Sequence, residues 1–90
     1  MSAVPHDMPR PMMVDWPTIF AELKAHGLSS YQINRRTGQS RSALRDYAAG
    51  ISQPRHHVGE IILLVWTRET GKGRDAVPYV SSYFNQPVMI

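Results

Sequence analysis

Glycines at 27, 38, 50 and 71 each follow the last apolar position of a helix-patterned segment. Glycine readily takes the left-handed conformation that ends helices. The chain is therefore cut into short helices, and any fold must be built by packing them against one another. The longest uninterrupted apolar run, Ile61 to Trp66, is far short of the ~20 residues needed to span a bilayer.

Each segment carries its own start signal. Asp15 can cap the first helix, and Pro17 falls in its first turn, where a missing N–H costs nothing. Trp16, Ile19, Phe20 and Leu23 follow at i, i+3, i+4 and i+7, one face of a helix. Ser29 and Gln32 make an S-x-x-Q capping box for a second helix with Ile33 inward. Ser40 caps a third, with Ala43, Leu44 and Tyr47 on its inner side. A fourth follows Pro54, over roughly residues 56–70. Val58, Ile61, Ile62 and Val65 form its stripe, while Leu63, Leu64 and Trp66 carry apolar surface further around. A surface helix shows a polar back, so this surplus implies a second partner, the C-terminal tail or another subunit.

The flanks read differently. Residues 1–14, with Pro5, Pro9 and Pro11, are expected to be a mobile arm. Val77, Tyr79, Tyr83 and Phe84, near Pro78 and Pro87, resemble an extended segment that packs on the fourth helix or adds a strand to a neighbouring subunit. The expected organisation is an arm (1–14), a helical domain (15–71) and a tail (72–90) available for dimerisation. With 90 residues the chain makes one small domain, burying only about 60–65% of its unfolded surface. The absence of cysteine excludes disulfide scaffolds, zinc ribbons and thiol nucleophiles. No basic stretch leads into an apolar run at the N-terminus, so a secretory signal is not expected and a cytoplasmic location is.

Charge is distributed unevenly. The stretch 28–55 carries Arg35, Arg36, Arg41, Arg45 and Arg55 against Asp46 alone, a local excess that accounts for the whole net charge of +3. All five are arginine, the side chain suited to bidentate contact with phosphates and guanine edges. Charge concentration raises a nucleic-acid hypothesis, against the ordinary alternative of a solvated helical face.

Two short helices joined by a Gly-containing turn make a helix-turn-helix outline. The stretch LSSYQINRRTGQSRSALRDYAAG, Leu28 to Gly50, resembles the motif of the phage-repressor and Cro-type family, the XRE class. The matching positions are Leu28, Ser29, Gln32, Ile33, Gly38, Ser40, Leu44, Tyr47 and Gly50. Three positions depart from the family pattern: Asn34 replaces a small alanine, Thr37 a leucine and Gln39 an apolar residue. A polar Asn34 near the helix crossing requires a hydrogen-bond partner. The fold implied is all-α, a compact four- to five-helix lambda-repressor-like domain.

The resemblance also implies roles. The second helix of the motif, about 41–49, would enter the major groove with its N-terminal residues at base edges. By position, Arg41, Ser42 and Asp46 would read bases, and Arg45 lies one turn beyond Arg41. Arg41 suits guanine O6 and N7; Asp46 accepts from cytosine N4 or orients an arginine. Ser29, Ser30 and Ser40 would hold phosphates at helix starts, and Arg55 would add a contact after the motif. Arg35 and Arg36 face either phosphate or solvent.

Metal and catalytic readings fail on spacing. His56 and His57 diverge by about 100° on a helix and lack a partner carboxylate at ligand spacing. No nucleophile elbow or phosphate loop is present. The expectation is a regulator without catalytic site, cofactor or metal, binding a two-fold operator on double-stranded DNA as a homodimer. Rival readings are an antitoxin-like protein that engages a partner through residues 72–90, and a helix-turn-helix fold used for protein interaction alone.

Overall fold

Helix caps set the element boundaries. A computed structural model describes residues 12–81, and the chain order is β1 (Met12–Val14), α1 (Trp16–Ala25), α2 (Ser30–Thr37), α3 (Arg41–Ala49), α4 (His56–Thr70), a 3₁₀ turn (Arg74–Ala76) and β2 (Tyr79–Ser81). Asp15 caps α1 by accepting from the Thr18 amide at 3.3 Å and the Thr18 hydroxyl at 2.7 Å. The Ser29–Gln32 capping box is formed in both directions, at 3.1 and 2.8 Å. Ser40 Oγ accepts from the Ala43 amide at 3.1 Å to open α3. Gly38 and Gly50, at φ 74° and 77°, close α2 and α3 in the left-handed region, where a side chain would be strained.

The helices enclose one core. Trp16, Ile19, Phe20 and Leu23 of α1 meet Leu28, Ile33 of α2, Leu44 of α3, and Ile62, Leu63, Val65 and Trp66 of α4, with Val77 behind them. Ile19, Leu23 and Ile62 are fully buried, each contributing on the order of 1.5–3 kcal/mol. Trp66 is also fully buried, and its indole N–H donates 2.9 Å to Glu22 Oε1, joining α4 to α1. Lys72 lies 3.5 Å from the same oxygen. Gly59 packs directly on Trp16: a Cβ there would stand 3.2 Å from the ring.

Two expectations need correction. The domain is mostly helical, not all-α: β1 and β2 form a two-stranded antiparallel sheet with Met12 opposite Ser81, Met13 opposite Val80 and Val14 opposite Tyr79. Residues 12–14 lie between prolines and contain none, so their backbone is free to pair. The Asp15 amide extends the connection to Pro78 O at 2.9 Å. The arm expected over 1–14 thus ends in a strand, and its first eleven residues lie outside the described residues. Within the extended C-terminal segment, β2 pairs with β1 of the same chain, and Val77 is buried in the core.

The second correction concerns α4. Its apolar surplus is mostly absorbed by its own domain, because α4 packs against α1 and also against α2. Leu63 and Trp66 are buried, leaving Leu64 half exposed at 52%. Among the described residues no helix is long and apolar enough to cross a membrane.

Candidate nucleic-acid interface

Asn34, Thr37 and Gln39 form one hydrogen-bonded lock at the turn. Asn34 Nδ2 donates 2.6 Å to the Gln39 carbonyl. The Gln39 amide donates 3.3 Å to Thr37 Oγ1, whose own hydroxyl donates 2.8 Å to Ile33 O. Gly38 N reaches Asn34 O at 2.9 Å. The turn joining α2 and α3 is therefore held through its backbone by two polar side chains of α2. Thr37 is buried, yet its hydroxyl is satisfied, as burial of a polar group requires.

Beyond the turn, α3 presents its polar stripes outward. Leu44 is buried, Ala43 and Tyr47 are half-buried, and Arg41, Ser42 and Arg45 are exposed, with Asp46 half-buried. Arg41 and Arg45 lie one turn apart on one stripe, and Ser42 and Asp46 lie one turn apart on the next. Ser42 Oγ is 3.4 Å from Ser40 Oγ, and Ser40 is exposed at the start of the helix.

The first intrahelical bond of α2 runs from Ile33 N to Ser29 O at 3.0 Å, leaving the Ser30 and Tyr31 amides without an intrahelical acceptor. Ser30 lies on a cleft of about 330 Å³ between α1, α2 and α3. Ile33 and Leu44 contribute to its floor, and Arg41, Arg45 and Lys24 also line it, with no acidic side chain in the lining. Lys24 was not singled out by the sequence. It sits in an N-terminal segment of slightly negative charge and reaches the cleft only because α1 packs on α3.

Ion pairing sorts the remaining cations. Glu69 takes Arg36, Glu22 takes Lys72, and Glu60 takes Arg74 in a forked pair at 2.8 and 3.2 Å. The Arg74 hydrogen bond, and then its charge, outweigh desolvation and hold the Glu60 carboxyl below its ordinary range. Arg36 is therefore engaged with α4, apart from the cleft. Arg35 donates 2.9 Å to the Tyr31 hydroxyl and stacks 5.8 Å from that ring, on the exposed side of α2. Among the described residues Lys24, Arg41, Arg45 and Arg55 have no acidic partner, nor does Arg68 on α4. Arg55 precedes α4 and is exposed. No protein-family model, curated protein or solved structure matches the chain.

Proposed function

We propose that the chain is a sequence-specific double-stranded DNA-binding regulator of the phage-repressor and Cro type, a repressor or autoregulator with no catalytic step. In this reading α2 and α3 are the two helices of a helix-turn-helix, and α3 enters the major groove. The observation that carries it is the segregation of charge. Among the described residues, the carboxylates of Glu22, Glu60 and Glu69 are occupied by cations elsewhere, while Lys24, Arg41 and Arg45 line one cleft without an acidic partner, and Arg35, Arg55 and Arg68 stand unpaired by carboxylates outside it. An uncompensated cluster of this kind favours a polyanion.

One such motif reads only a few base pairs, so useful affinity calls for two half-sites about 34 Å apart and a dimer. Leu64 is the exposed apolar residue of α4, with Ile61 half-buried beside it. Glu60 lies one turn before Leu64 and Arg68 one turn after. Two copies packed antiparallel about Leu64 would bury this apolar patch, with Ile61 at its edge, about a two-fold axis.

Selection of binding sequences from a random duplex library tests the proposal. An inverted repeat is the expected product. Flat enrichment would mean a non-specific DNA coat, and absence of binding at low salt would reject the reading.

A further inference from the structure

We infer that Lys24, Ser30, Arg41 and Arg45 form a single phosphate seat, and that base reading passes to the neighbouring stripe of α3, Ser42 and Asp46. The source of the phosphate rests on the DNA-binding reading of this face; the seat itself stands on the geometry of the cleft.

Arg41 and Arg45 share a stripe of α3, and that stripe borders the recess between α1, α2 and α3. Base edges lie at the floor of a major groove about 8.5 Å deep and are reached by the most protruding side chains of an inserted helix. A phosphodiester instead stands out from the strand and fits a recess. Three cations converge on this recess with no carboxylate in its lining, and their mutual repulsion is relieved by an anion. Two of the three are arginines, whose planar forks match phosphate oxygens. The Ser30 hydroxyl adds a neutral donor, and the Ser30 amide is without an intrahelical acceptor. Ser42 and Asp46 lie about 100° further around α3, away from the recess, with one donor and one acceptor for base edges.

Phosphate and base contacts respond differently to substitution. With Lys24→Ala, affinity for the selected duplex and for a scrambled duplex should fall by the same factor. The slope of log K against log salt should become shallower by about 0.9, the value for one phosphate contact. Arg41→Ala and Arg45→Ala should behave alike, while Ser42→Ala or Asp46→Ala should relax preference at defined base pairs. An unchanged salt slope in K24A, together with loss of one base preference in R41A, would overturn the inference and restore Arg41 as a base reader.

A second arm needs no DNA. Titration with inorganic phosphate should shift the backbone amide resonances of Ser30, Arg41 and Arg45 in the wild type, and Lys24→Ala should suppress the shifts. Phosphate binding without any DNA binding would keep the seat, assign it to a small phosphorylated ligand, and reject the DNA reading. DNA binding with no phosphate response and no change in K24A would reject the seat alone. Circular dichroism should show each variant folded, since Lys24, Arg41 and Arg45 are all exposed.

Discussion

Asn34→Asp isolates the lock between α2 and α3. Asn34 Nδ2 donates 2.6 Å to the partly buried Gln39 carbonyl. Aspartate has nearly the same shape and similar helix propensity, but when ionised it has no proton to donate. The variant loses a hydrogen bond, about 1 kcal/mol net, and sets a carboxylate oxygen against a carbonyl oxygen, on the order of another 1 kcal/mol. A total of about 2 kcal/mol lowers the midpoint of thermal unfolding by about 8–16 °C in a domain this small. The effect is pH-dependent with a definite sign. Protonation gives the introduced carboxyl a donor again, so folding raises its pKa above the unfolded value. The restored stability is fully present below the unfolded pKa and is lost as pH rises through the folded one. Thermal unfolding followed by circular dichroism, with wild type and variant compared at pH 7 and near pH 3, reads this directly. Asn34→Ala, which removes the bond without adding a charge, should cost about 1 kcal/mol at both pH values, less a few tenths recovered from propensity. An Asn34→Asp protein as stable as wild type at pH 7, or with the same deficit at both pH values, would refute the lock.

Other perturbations probe the rest of the account. Gly38→Ala meets no atom within 4 Å, yet its φ of 74° strains any side chain, so a loss of about 1–2 kcal/mol by denaturant titration is expected. Gly59→Val drives a branched side chain into the Trp16 ring, and overpacking should cost about 1–3 kcal/mol with altered tryptophan fluorescence. The Glu60 carboxyl is held below its ordinary pKa by Arg74, so its contribution is present above the unfolded value and is lost as pH falls through the lower folded one. Glu60→Gln should therefore narrow its deficit against wild type as acidification passes that range, followed by thermal melts.

The local layer of this fold was legible because its signals are local. Asp15, the Ser29–Gln32 box, Ser40 and the stops at Gly38 and Gly50 each act within four residues, and each caps the helix end expected of it. The stripe Trp16, Ile19, Phe20 and Leu23 is buried as its spacing requires. Even the partner demanded by Asn34 is present, although nothing in the sequence pointed to Gln39 rather than another acceptor. What escaped was long-range. Met12 pairs with Ser81 across the full span of the described residues, through strands of three residues with no hairpin signal between them. The apolar breadth of α4 pointed from sequence to a second partner, the tail or another subunit, whereas much of it is buried because α4 packs against both α1 and α2. Lys24 was hidden for the same reason. Its segment of the chain carries a slight negative charge and no other nearby lysine or arginine, while the cleft it lines is shared with Arg41 and Arg45.

Among the proposed site residues, the structure gathers Ser30, Arg41 and Arg45 at one cleft and sets Ser42 and Asp46 on the adjoining stripe. Arg36 is drawn to Glu69 and Arg35 to Tyr31. Residues 82–90, the rest of the tail expected to join a partner, lie outside the described residues.

The central claim, recognition of a particular duplex sequence, is tested most directly by one ratio. Fluorescence anisotropy at physiological salt should give an affinity for the selected inverted repeat at least about 10³-fold tighter than for a scrambled duplex of equal length and composition. A ratio near one, with both affinities collapsing together as salt rises, would contradict it.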